Sequence, residues 1–98
     1  MKFEHIILMP WVSNLAKGKG LKKASPAQRI VLATIRHQGK PLGYGWFRIK
    51  VGDITAVTNI CGETIGNAIK FWKDCGYITD IREGKFYAKE FCLHKQLL

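Results

Sequence analysis

Groups that could do chemistry are present in this chain, but the sequence keeps them apart. His5, His37 and His94 are scattered, and no serine or cysteine has an acid–base partner at a local spacing. The cysteines are Cys61, Cys75 and Cys92, an odd set with no Cys-x-x-Cys pair. Such a set argues against a disulfide framework and against the common zinc patterns. Cys92 and His94 stand two apart, but no second pair matches them. Three reduced, buried thiols are the expectation. The two Gly-x-Gly pieces, at 18–20 and 43–45, lack the remainder of any phosphate-cradling loop. A non-enzymatic role without metal or cofactor is expected.

What remains is positive charge. The 98 residues carry 16 Lys and Arg against 7 Asp and Glu, a formal net charge of +9. Residues 1–52 hold ten basic residues with Glu4 as the only acid, whereas residues 53–98 balance six against six. A basic half beside a neutral half suits a polyanion, either nucleic acid or an anionic membrane surface. Charge kept only for solubility would look the same. The densest run is Lys17, Lys19, Lys22 and Lys23, in a Gly- and Lys-rich stretch with no apolar period. It reads either as an arm that tracks phosphates or as a solvated linker. No run of about 18 apolar residues occurs, so no membrane span is expected. The apolar run at 6–9 is too short for a signal-peptide core. A soluble, cytoplasmic protein is the expectation.

These groups need elements to position them. A chain of 98 residues, 47% hydrophobic, supports one modest core. The expected division is an apolar segment and arm over 1–24, a domain over 25–91 and a tail over 92–98. Ser25-Pro26-Ala27-Gln28 has the form of a helix start with a capping box. Ala27, Ile30, Val31, Thr34 and Ile35 then share one helical face, and Gly39 is expected as a left-handed cap. Residues 39–45 read as a loop. The alternation over 46–51 predicts a strand with Phe47, Ile49 and Val51 facing inward and Arg48 and Lys50 outward. A short helix over 52–58 follows, with Asn59 in a turn and Ile60 as an apolar plug. Ile65, Ala68, Ile69 and Trp72 give one apolar face to a third helix over 62–74. Strands are expected at 77–82 and 85–91, joined tightly at Glu83-Gly84 with Gly84 at positive φ. Trp72, Tyr77 and Phe47 are expected in the core.

The run 51–78 resembles the winged helix-turn-helix of bacterial and phage regulators. Thr64-Ile65 stands where that family has Thr-Val, and Gly76-Tyr77-Ile78 stands at the entry to its first wing strand. The helix and Gly-rich loop before it are similar to the N-terminal domains of phage and plasmid replication initiators. The resemblance spans about 25–87 and implies an α+β winged-helix fold: a three-helix core, a helix-turn-helix and a small antiparallel sheet with a wing hairpin. It places Gly62, Glu63, Thr64, Gly66, Asn67 and Lys70 toward DNA. These are also the polar residues off the apolar face of the third helix. Asn67 could read adenine, and Glu63 could accept from a cytosine amino group. Thr64 suits a phosphate or a thymine methyl, and Lys70 and Lys73 suit phosphates. Arg82 and Lys85 of the wing could reach phosphates or the minor groove, with Arg48 and Lys50 adding charge. The sequence departs from the family where Gly62, Glu63 and Gly66 replace basic residues and Cys61 replaces a Ser cap. The two glycines each cost a helix about 1 kcal/mol relative to alanine.

The resemblance implies double-stranded DNA as partner and transcription regulation as role, in the chain alone or as a homodimer. A replication-origin module is a second reading. A winged-helix module that binds a host protein is a third, favoured by Glu63 and the glycines and disfavoured by the arm.

Overall fold

The computed structural model describes residues 24–85 and 88–95. Along these residues run α1 (Pro26–Gln38), β1 (Lys40–Gly43), β2 (Trp46–Ile49), α2 (Val51–Thr58), α3 (Gly62–Cys75), β3 (Ile78–Glu83) and β4 (Lys89–Leu93). The capping box forms as expected. The Ser25 hydroxyl accepts the Gln28 backbone N–H at 3.2 Å, and the Gln28 side chain accepts the Ser25 N–H at 2.8 Å. The helix it starts buries a continuous run, Val31, Leu32, Ala33, Thr34 and Ile35, rather than one stripe. The reason is position: α1 packs against α3, α2 and β2 together. Ala27 and Ile30, expected on the buried face, are only half-buried.

Gly39 ends α1 but not in the left-handed region, since its φ is −66° and its ψ 145°. Glycine is needed there for a different reason. A Cβ at Gly39 would stand 2.5 Å from the Ile35 carbonyl oxygen. The segment expected as a loop contains β1, which pairs with β2 through a two-residue turn at Tyr44 and Gly45. Both take positive φ, +55° and +85°, the mirror-image turn that suits the right-handed twist of a hairpin. Tyr44 in place of Asn, and Pro41 within the strand, hid this hairpin from the sequence. Pro41 is tolerated because β1 is an edge strand.

β2 ends at Ile49, and Val51 heads α2 instead of closing the strand, though it still packs against the core. The second hairpin is also longer than expected. Glu83 lies opposite Lys89 and Arg82 opposite Glu90, so the connection runs through 84–88. Gly84 N–H bonds the Ala88 carbonyl at 2.8 Å, and Gly84 has no positive φ. Instead, a Cβ there would meet the Glu90 carboxylate at 2.9 Å. β4 continues past the expected end at Phe91 to Leu93, which is buried.

The antiparallel sheet has the order β1-β2-β4-β3. Phe47, Phe91 and Ile81 are cross-strand neighbours on the face that meets the core. Arg48, Glu90 and Arg82 form the neighbouring row, which alternation turns to the other face. Trp72, Phe91, Leu32, Ile35, Ile54, Ile65 and Ile78 fill the centre. The described residues thus form an α+β fold of three helices and a four-stranded sheet, compatible with a winged-helix-like arrangement with β1 added at one edge.

Candidate nucleic-acid interface

α3 is fixed in the fold from its far end. Trp72 is wholly buried, and its indole N–H donates to the Gln28 carbonyl at 2.7 Å, tying α3 to the first turn of α1. Phe71 and Tyr77 stand edge-on to the Trp72 ring, with centroids at 5.0 and 5.8 Å. Burial of Ile65, Ala68, Ile69, Trp72 and Cys75 leaves the opposite face to solvent. Glu63, Asn67, Lys70 and Lys73 are exposed there, as are Gly62 and Gly66. Both glycines face open space where a Cβ would stand. Nothing in the described fold therefore requires glycine at either position.

The turn before α3 is closed by a residue the sequence reading passed over. The Thr58 hydroxyl donates to the Ile54 carbonyl at 2.6 Å and accepts the Ile60 N–H at 3.2 Å. Asn59 takes the left-handed conformation, φ 61°, as its residue type allows. Ile60 packs partly against the core. Thr58 is recognisable only afterwards, because a threonine that ends a helix looks like any other.

Cys61 occupies the cap position of α3 but makes no capping bond through its side chain. Its sulfur lies 3.2 Å from the Thr64 hydroxyl, which leaves Thr64 half-buried and its hydroxyl engaged. That hydroxyl, together with the Thr64 backbone N–H, holds the Cys61 thiol below its ordinary pKa. The thiol is exposed, contrary to the expectation of burial, because a cap residue sits outside the packed face. Cys75 is buried as expected, and Cys92 is half-buried on β4.

On the outer face of the sheet three expected or unnoticed residues meet. Glu90, only 5% exposed, binds Arg48 from β2 and Arg82 from β3. Arg48 Nε and Nη2 lie 3.0 and 2.9 Å from Glu90 Oε2, and Arg82 Nε donates to Oε1. The Arg82 guanidinium also lies over the Trp46 ring, 3.9 Å from its centroid. The bond from Arg82 first, then that from Arg48, holds the Glu90 carboxyl below the usual carboxylate range. The sequence reading missed Glu90 and Trp46 as parts of a site. Cross-strand register joins them, and the expected register was wrong at that hairpin.

Lys50, at the start of α2, and Lys85, in the 84–88 connection, are exposed. Lys17, Lys19, Lys22 and Lys23 lie outside the described residues, as does the apolar segment that precedes them. A shallow groove of about 440 Å³ runs between the end of α1, β1, β2 and α2, with Lys40, Arg48 and Asp53 on its walls and Ile49, Ala56 and Val57 beside them. Among the described residues no cluster of three or more His, Cys, Asp or Glu could hold a metal, and no helix is long and apolar enough to cross a membrane.

Neither a family model, nor a curated protein, nor a solved structure matches the chain.

Proposed function

We propose that the chain is a winged-helix protein that binds double-stranded DNA, with α3 in the major groove and the β3–β4 connection as the wing. The single observation that carries this reading is the helix pair: α2, a three-residue turn and α3, with α3 anchored by Trp72 and its Glu63/Asn67/Lys70 face left open. A transcription regulator of phage, plasmid or bacterial type fits the charge of residues 1–52, ten basic residues against one acid. Binding at a replication origin would use the same surface.

Asn67 pairs with a base edge, Glu63 accepts from an amino group, and Lys70, Lys73, Lys50 and Lys85 meet phosphates. The bare backbone at Gly62 and Gly66 lets α3 approach its ligand closely. The basic arm adds affinity that salt removes. Fluorescence anisotropy with duplex DNA at several salt concentrations tests the reading. Binding that weakens steeply with salt is the expected result, and no binding to any duplex at low salt would sink it. Asn67→Ala should cost about 1–3 kcal/mol on the preferred sequence and less on others.

One observation favours a protein partner instead. The open face of α3 carries Glu63 and the bare glycines Gly62 and Gly66, which leaves it short of positive charge for a polyanion. A pull-down that finds a tight protein partner, with no DNA affinity, would select that reading.

A further inference from the structure

We propose that Glu90, although acidic, is a positioning residue of the DNA interface: it holds the Arg82 guanidinium as a fixed two-pronged donor for a backbone phosphate and takes Arg48 out of the contacting set. The proposal rests on the duplex-binding reading above.

The two arginines differ in what Glu90 leaves them. Arg48 donates Nε to Glu90 Oε2 and brings Nη2 to 2.9 Å of the same oxygen as an ion pair, and its side chain is 28% exposed. Arg82 gives only Nε, and its side chain remains 53% exposed. No acceptor among the described residues meets the Nη1 and Nη2 groups of Arg82. Its guanidinium plane is held on one side by Trp46 and at one edge by Glu90. A long side chain usually loses rotamer freedom when it binds, and here much of that loss has already been met in the fold. Two guanidinium groups against one carboxylate leave one net positive charge. The planar fork that remains matches a phosphate oxygen pair. Arg82 lies one residue before the end of β3, beside the 84–88 connection that serves as the wing.

The sign of one substitution separates this role from a bland one. An acid that merely lies near a polyanion repels it, so its neutralisation tightens binding. A positioning acid acts through Arg82, so its neutralisation loosens binding. Anisotropy on labelled duplex at fixed salt is the measurement, with circular-dichroism melts showing that each variant is folded at the assay temperature. Glu90→Gln should weaken binding about tenfold, the worth of one charge-assisted contact. In an Arg82→Ala background the same change should add almost nothing. Arg82→Lys, which keeps the charge and loses the plane, should weaken binding nearly as much as Arg82→Ala. Should Glu90→Gln not fold, Trp46→Leu removes the stacking surface and leaves the ion pair, and it should show the same non-additivity with Arg82→Ala. Unchanged or tighter binding by Glu90→Gln, or losses that add, would overturn the proposal and leave duplex binding standing. Failure of the wild-type chain to bind any duplex at low salt would overturn both.

Discussion

Cys61 shows how one side chain takes its properties from where the fold puts it. The residue type allows a buried, inert thiol, but the cap of α3 exposes it beside the Thr64 hydroxyl. That contact stabilises the thiolate and holds its pKa below the ordinary thiol value. Alkylation by iodoacetamide, followed by mass spectrometry, should therefore label Cys61 first, Cys92 more slowly and Cys75 last. Labelling of Cys61 should stay fast to lower pH than a free cysteine would, and Thr64→Ala should slow it near neutral pH. If Cys75 reacts as fast as Cys61 in the folded protein, the assignment is wrong. The Cys61 position was legible in the sequence as a missing Ser cap. Its exposure was not, because the composition of the chain says only that free cysteines are usually buried.

At the scale of elements, α3 was the most legible part of the sequence. Its apolar residues repeat at helical spacing, and the four expected on the buried face are all buried, with Cys75 beside them. Its glycines are the informative exception. Gly66 lies inside a helix, has no positive φ and faces open space. Gly66→Ala should raise stability by about 1 kcal/mol in denaturant unfolding. The same variant should weaken duplex binding if α3 approaches DNA closely, the usual exchange of function for stability. A loss of stability on that change would show that Gly66 has a structural task instead. The strands were less legible. The β1–β2 hairpin turns on Tyr44-Gly45, a pair without the usual asparagine, and β4 was shifted against β3. A strand carries a period of two wherever it starts, so alternation alone does not set register.

The whole molecule depends on a core assembled from all three helices and from β2, β3 and β4, with β1 outside it. Trp72 lies at its centre and joins α3 to α1 through both packing and one hydrogen bond. Trp72→Ala should cost about 3–5 kcal/mol. Against a total of about 5–15 kcal/mol for a natural domain, that leaves a marginal fold, which thermal unfolding would report. Acid should act through a different residue. Glu90 has a lower pKa folded than unfolded, so its contribution is present above the ordinary carboxylate range and is lost as pH falls through the folded value. Stability should therefore decline with acid below that range, and Glu90→Gln should flatten the decline in urea titrations. An unchanged acid profile in Glu90→Gln would assign the loss to other carboxylates.

The sequence by itself determined the helices, the turn at Asn59, the capping box at Ser25 and the polar face of α3. Each is local, set by residues three or four apart that meet whatever the rest of the chain does. Tertiary structure alone decided the burial of Leu32 and Ala33, the register of β3 against β4, and the meeting of Arg48, Glu90, Arg82 and Trp46. Those depend on residues up to 44 positions apart in the chain, Trp46 and Glu90 among them, brought together by sheet pairing. No local spacing encodes such a meeting, because the charge of Glu90 becomes a bridge only when two strands place an arginine on each side of it.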